Sequence, residues 1–153
     1  MKKTVALVLF VSLLFSCSVT YIDPALENTK LSEDEKQFIT QFENVVLKHK
    51  KKKFIDMLEP TYKQEQFEDM YHGDVNNFVS DFFCGKDGQK FKCFSMGQID
   101  KIELLDYSRN GDIIMLKFRV YSGSSSIIVT DIQVKRYRTK DGKIKYGIIG
   151  AYG

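Results

Sequence analysis

Histidine is scarce in this sequence, which contains only His49 and His72. A Ser-His-Asp hydrolase needs a histidine as its base, and His49 lies in a run of lysines that does not suit a sheltered catalytic pocket. A zinc site needs several closely spaced Cys or His ligands, which these two histidines do not provide. Calcium-binding loops, phosphate-binding glycine loops and the G-x-S-x-G motif are also missing. The sequence therefore predicts no metal and no cofactor.

Long apolar runs are missing too. The longest, residues 5–15, is shorter than the roughly 20 residues that a transmembrane helix needs, and it begins just after Lys2 and Lys3. A positive start followed by a short apolar run is typical of an export signal. Ser16 and Cys17 come next. This pattern resembles the lipid attachment site of bacterial lipoproteins, and the resemblance implies that Cys17 is lipidated. The alternatives are an ordinary signal peptide cut nearby and a buried N-terminal helix with an incidental cysteine.

This arrangement resembles the N-terminus of bacterial lipoproteins. The resemblance implies a signal peptide over residues 1–16, a diacylated Cys17 as the new N-terminus, and a tether over residues 17–30. Two acyl chains give stable membrane attachment. Because Ser18, and not Asp, follows the cysteine, the resemblance also implies the outer membrane of the bacterial envelope, with the protein facing the periplasm.

A strong excess of charge of either sign is absent. Removal of residues 1–16 takes away two lysines and lowers the formal net charge from +3 to +1. A polyanion-binding domain is normally strongly basic, so no nucleic-acid partner is expected. The remaining chain has room for one domain, which we place at residues 31–153.

Two cysteines remain in the segment CGKDGQKFKC, at Cys84 and Cys93. Outside the cytoplasm thiols tend to be oxidised, so a local disulfide is predicted. The spacing is not C-x-x-C and no histidine is near in sequence, which disfavours a redox pair and a metal site. Two free thiols are the main alternative.

The first part of the domain has helical periodicity. Ser32 followed by Glu35 predicts a capping box at the start of a long amphipathic helix, and Pro60 limits a second, short helix. A third helical segment follows. A fourth begins at Asp74, with Gly85 as its predicted C-cap.

Beyond residue 91, apolar and polar residues alternate as they do in half-buried strands. The segments RNGD, SGSS and KDGK, at residues 109–112, 122–125 and 140–143, predict hairpin turns. With a first strand at about residues 98–107, the pattern predicts four consecutive antiparallel strands. The predicted fold class is therefore α+β, with N-terminal helices packed on a curved four-stranded antiparallel sheet.

The order of these elements is similar to that of the NTF2-like, or cystatin-like, superfamily. The motif F-x-x-x-L-x-P-x-Y, formed by Phe54, Leu58, Pro60 and Tyr62, resembles small envelope lipoproteins of that superfamily. The resemblance implies a cone that binds a small apolar ligand or an envelope protein without catalysis. The twelve phenylalanines could line a pocket or fill the core. NTF2-like domains often dimerise through the exposed sheet face, so the resemblance also allows a homodimer.

Two sets of residues are candidates for function. Asp69, Tyr71 and His72 could do acid/base chemistry on a small substrate, as in some NTF2-like enzymes, although a helix end with a packed tyrosine is the simpler interpretation. The polar face of the strands carries basic and aromatic residues that could bind a protein or glycan: Lys117, Arg119, Tyr121, Lys135 and Tyr137. A solvated strand face is the alternative there. The sequence favours binding over catalysis.

The run KHKKKK at residues 48–53 is the most concentrated charge in the chain. Such a run usually lies solvated at a helix end, where it complements the helix dipole. In a membrane-anchored protein it could instead contact anionic headgroups. The sequence leaves both interpretations open.

Overall fold

Most of the chain has a described structure. The computed structural model describes residues 30–124 and 126–153. The predicted signal peptide, the predicted lipid site at Cys17 and nearly all of the predicted tether lie outside the described residues. Residues Leu31–Gly153 form one compact unit, which contains every helix and strand named below.

The first helix begins where the sequence predicts it. Helix α1 spans Glu33–Leu47. The Ser32 hydroxyl accepts a hydrogen bond from the Glu35 amide at 3.3 Å, and the Glu35 carboxylate accepts one from the Ser32 amide at 2.7 Å. The predicted capping box is confirmed. The apolar face of α1 is buried through Ile39 and Phe42, among others.

Three short helices and a π-helical segment follow α1. They are α2 (Lys51–Ile55), α3 (Pro60–Tyr62), the π-helical segment (Lys63–Met70) and α4 (Val75–Phe82). The proline stands at the first position of α3, where its missing N–H leaves no helical hydrogen bond unmade. Asp74 caps α4, since its carboxylate accepts hydrogen bonds from the amides of Asn76 and Asn77.

The sheet has six strands, not the four that the sequence predicts. They are β1 (Phe83–Asp87), β2 (Lys90–Phe94), β3 (Lys101–Asn110), β4 (Ile113–Ser122), β5 (Ser126–Arg138) and β6 (Ile144–Tyr152). The order is β2-β1-β5-β4-β3, and β6 pairs with the second half of β5. These pairings are antiparallel, and Leu58 adds an isolated parallel bridge to Ile148. The α+β class is confirmed, and the four predicted strands correspond to β3–β6.

The two additional strands form a hairpin directly after α4. The sequence predicted Gly85 as the C-cap of α4, but α4 ends at Phe82 and Gly85 lies within β1. A Cβ at this glycine would collide with the backbone of β5, so the close approach of β1 to β5 requires glycine here. Cys84 and Cys93 lie opposite each other in the hairpin and form the predicted disulfide.

One face of the sheet packs against the helices. Alternate residues of the central strands, such as Leu116, Phe118 and Ile132, point to this face and are buried. Phe42 of α1 lies with its ring centroid 5.3 Å from that of Phe118 and 6.2 Å from that of Phe54. The inner face of the sheet is therefore closed by aromatic packing.

Candidate functional site

The outer face of the sheet is turned away from this core. Its residues alternate with the buried ones, so Arg119 and Tyr121 point outward on either side of the buried Val120. All five strand residues predicted for binding lie on this face: Lys117, Arg119, Tyr121, Lys135 and Tyr137. The structure brings them onto one surface, but their surroundings differ.

The outer face is not uniformly basic. Lys117 stands in cross-strand register between two aspartates, Asp106 of β3 and Asp131 of β5. All three line a shallow hollow of about 140 Å³. Arg119 is paired in register with Glu103 of β3. A polyanion on this surface would meet carboxylates as well as cations, so the surface favours a partner that carries both apolar and charged groups.

Tyr121 is held by a charged network on β3. Its hydroxyl donates a hydrogen bond of 2.6 Å to the Glu103 carboxylate. The Lys101 ammonium lies 2.5 Å from the same carboxylate and 5.0 Å from the centroid of the tyrosine ring. Hydrogen bonds from Lys101 and then from Tyr121 lower the pKa of the Glu103 carboxyl. The tyrosine ring therefore has a fixed orientation on the outer face.

Lys135 and Tyr137 face a buried carboxylate. Glu59, just before α3, accepts a hydrogen bond from the Tyr62 amide at 3.0 Å, and its carboxylate lies 3.6 Å from the Lys135 ammonium. Burial and then the charge of Glu59 raise the pKa of the Tyr137 hydroxyl. Lys135 thus neutralises a buried charge, and truncating it would disturb the fold as well as any binding.

A partly apolar row crosses the outer face near the β1–β2 hairpin. Five residues pair in register across five strands, in the order Phe91, Lys86, Val129, Arg119 and Glu103. Phe91 is 62% exposed, and Ile127, on the same face of β5 as Val129, is 37% exposed. We call Phe91, Ile127, Val129, Arg119 and Tyr121 the outer-face patch. Exposed apolar side chains beside arginine and tyrosine are typical of protein contact sites.

Asp69, Tyr71 and His72 are near in sequence but do not converge. Asp69 accepts a hydrogen bond from the Gln64 amide group at 2.8 Å, whereas the Tyr71 hydroxyl donates to Asp81 at 3.2 Å. Burial and then the Asp81 charge raise the pKa of Tyr71. A hollow of about 120 Å³ is lined by Tyr71 and Asp81, but not by Asp69 or His72. Each predicted residue therefore has its own surroundings.

The comparisons with known proteins give no relative. No protein-family model, curated protein or solved structure matches this chain.

Three residues of the outer-face patch, Phe91, Ile127 and Val129, were missed by sequence reasoning. Phe91 was missed because the β1–β2 hairpin was not predicted. A signal was present, since Asp87 and Gly88 form the dipeptide that favours tight hairpin turns. Ile127 lies at the start of β5, where Ile127, Ile128 and Val129 are all apolar and simple alternation fails.

No group of three or more His, Cys, Asp or Glu residues within residues 30–124 and 126–153 could hold a metal ion. No helix in the same ranges is long and apolar enough to cross a membrane.

Proposed function

We propose that this chain is a lipid-anchored protein of the bacterial envelope, and that its NTF2-like domain binds an envelope protein through the outer-face patch. The short apolar run that ends at Ser16 and Cys17 supports the anchor. Helices that precede a mostly antiparallel sheet, together with the Phe54 to Tyr62 motif, support the NTF2-like class. Ser18 supports the outer membrane, facing the periplasm.

The contrast between the two faces of the sheet carries the binding proposal. Phe42, Phe54 and Phe118 have no exposed surface, so these rings fill the core instead of lining a ligand pocket. Phe91 and Ile127 are exposed on the outer face. The contrast favours a protein partner over a small apolar ligand in the cone. The expected partner surface is apolar with carboxylates, which complement Lys86 and Arg119.

Acid/base catalysis is the alternative function, and it has less support. Asp69 and His72 do not line the hollow beside Tyr71, so no general acid and base face a shared substrate space. The alternative would require that His72→Ala abolishes an activity. The binding proposal requires that His72→Ala leaves complex formation unchanged.

Site-specific photo-cross-linking in the native envelope tests the binding proposal. A photoreactive phenylalanine analogue at position 91 or 127 should give the same cross-linked protein product. The matched control is position 70, because Met70 is as exposed as Phe91 (64% against 62%) but lies outside the patch. Arg119→Glu should remove the product while the domain stays folded, because Arg119 lies in the patch and outside the core. The new carboxylate stands opposite Glu103, so the urea midpoint of unfolding should fall only slightly.

Three outcomes would contradict binding through the outer-face patch. They are no product from positions 91 and 127, equal products from position 70, and a product that survives Arg119→Glu. A product of twice the chain mass would identify the partner as a second copy and contradict the hetero-partner. The mass of the full-length protein extracted from its own envelope tests the anchor separately, because an unacylated Cys17 would contradict lipidation.

A further inference from the structure

The lysine run at residues 48–53 forms a fixed corner between α1 and α2. His49 has a left-handed φ of 52°, which turns the chain from one helix to the next. The amides of His49 and Lys50 donate to carbonyl oxygens of the last turns of α1, at 3.0 and 2.9 Å. The His49 ring donates to the carbonyl of Ile99 at 3.0 Å, and Phe54 of α2 is fully buried. The lysines are therefore presented by packed structure.

Four lysines of this corner point to solvent. Lys51 turns aside, because its ammonium donates to the Asn76 side chain at 2.8 Å. Lys48, Lys50, Lys52 and Lys53 are exposed, and none of them forms an ion pair with a carboxylate in the described ranges. Leu47 beside them is also exposed. We call Leu47, Lys48, Lys50, Lys52 and Lys53 the lysine corner.

The lysine corner differs from the other basic residues of the domain. On the outer face, Lys101 pairs with Glu103 and Lys135 with Glu59, so positive and negative charges balance there. Residues 17–153 have a formal net charge of only +1, and the lysine corner concentrates positive charge within them. A dense and extended array of negative charge complements it best, and an exposed leucine among lysines suits the boundary between headgroups and acyl chains.

We propose that the lysine corner docks on anionic phospholipid headgroups of the membrane that holds the lipid anchor. The proposal rests on the anchor proposed above and goes beyond it, because docking gives the domain a fixed orientation. The corner follows the C-terminal end of α1, about 22 Å along the helix from its N-terminal end. The residues between Cys17 and Leu31 number 13 and can span up to roughly 43 Å. The tether is thus long enough for α1 to lie along the membrane surface.

Amine labelling of the acylated full-length protein in vesicles tests the docking. One vesicle is phosphatidylcholine alone, and the other contains a third phosphatidylglycerol. Labelling of Lys48, Lys50, Lys52 and Lys53, followed by mass spectrometry, should be at least about fivefold slower in the anionic vesicle, since each lysine near an anionic surface adds about fivefold in affinity. High salt should restore the rate. Lys140 and Lys143 in the β5–β6 turn are internal controls and should label equally in both.

A variant pair shows whether the lysine corner causes the protection. Lys51 is the common reporter, because it lies between Lys50 and Lys52 and a membrane docked on the corner should slow its labelling too. Substituting glutamine at Lys48, Lys50, Lys52 and Lys53 should abolish the lipid-dependent protection of Lys51. The charge-matched control variant carries glutamine at four other exposed lysines: Lys90, Lys140, Lys143 and Lys145. This control variant should keep the lipid-dependent protection of Lys51. Equal labelling in the two vesicles, or equal loss in both variants, would overturn the proposal.

If the chain carries no acyl chains, the vesicle experiment gives a different result. A protein without acyl chains would not float with phosphatidylcholine vesicles at all. In that case flotation with the anionic vesicles tests the lysine corner alone. Binding that the corner variant loses and the control variant keeps would support the docking surface, and absence of binding would overturn it.

Discussion

One buried carboxylate, that of Glu35, serves both the first helix and the sheet. It accepts the hydrogen bond from the Ser32 amide and also contacts the Arg109 guanidinium of β3 at 2.5 Å. The local half of this arrangement could be predicted, because a capping box depends on residues three positions apart. The contact with Arg109 could not, because it joins residues 74 positions apart and depends on how the helix packs on the sheet.

Glu35→Ala should lower the free energy of unfolding by about 3 kcal/mol, because it removes the cap and takes a charged partner from the largely buried Arg109. Urea unfolding measures this change. Glu33→Ala is the control, since the Glu33 side chain is 81% exposed and forms an exposed ion pair with Lys36. It should change the free energy by less than about 0.5 kcal/mol. Equal effects of the two substitutions would show that the buried contact contributes nothing.

Among the elements, the long ones were predicted and the short β1–β2 hairpin was not. The three turns around RNGD, SGSS and KDGK separate the four long strands as predicted, because their alternation extends over many residues. The β1 and β2 strands have five residues each, and Phe82 and Phe83 continue the apolar pattern of α4 into β1. Periodicity therefore placed Gly85 at the end of a helix. Only pairing with β5 explains why this position is glycine.

Loss of the Cys84–Cys93 disulfide should destabilise this hairpin and the patch that it carries. The double variant Cys84→Ala, Cys93→Ala should lower the free energy of unfolding by about 2.5 kcal/mol, because a short closed loop restricts the unfolded chain by about that amount. Urea unfolding with and without a thiol reductant measures it. The reductant should destabilise the wild-type protein and leave the double variant unchanged. If the reductant destabilised the wild-type protein and the double variant equally, the loss of stability would not come from this disulfide.

At the scale of the whole molecule, the inner face of the sheet covers a filled apolar core, and the outer face carries apolar and charged residues together. The sequence predicts this division only in part. The periodic pattern assigns inner and outer strand faces correctly, so the five predicted binding residues share one face. The pattern does not show which of them face internal partners. Lys135 and Tyr137 meet Glu59 because Leu58 bridges to β6, and that contact arises only when helices and sheet assemble. The same assembly partly buries Tyr62, which lowers the stability expected in alkali.

Tyr62 should make the protein less stable in alkali. Burial, and then the nearby Tyr152 and Tyr71 hydroxyls, raise the pKa of Tyr62 from 10.0 to about 12. Between these pH values the folded state keeps a proton that the unfolded state releases, so stability that is complete below pH 10 falls as the pH rises to about 12. Urea unfolding across this range should show the fall. Tyr62→Phe should make this fall in the free energy of unfolding smaller by about 1 kcal/mol. The raised pKa alone would give a larger difference, but Tyr62 is partly exposed and solvent screens it. An unchanged fall in the variant would show that Tyr62 does not cause it.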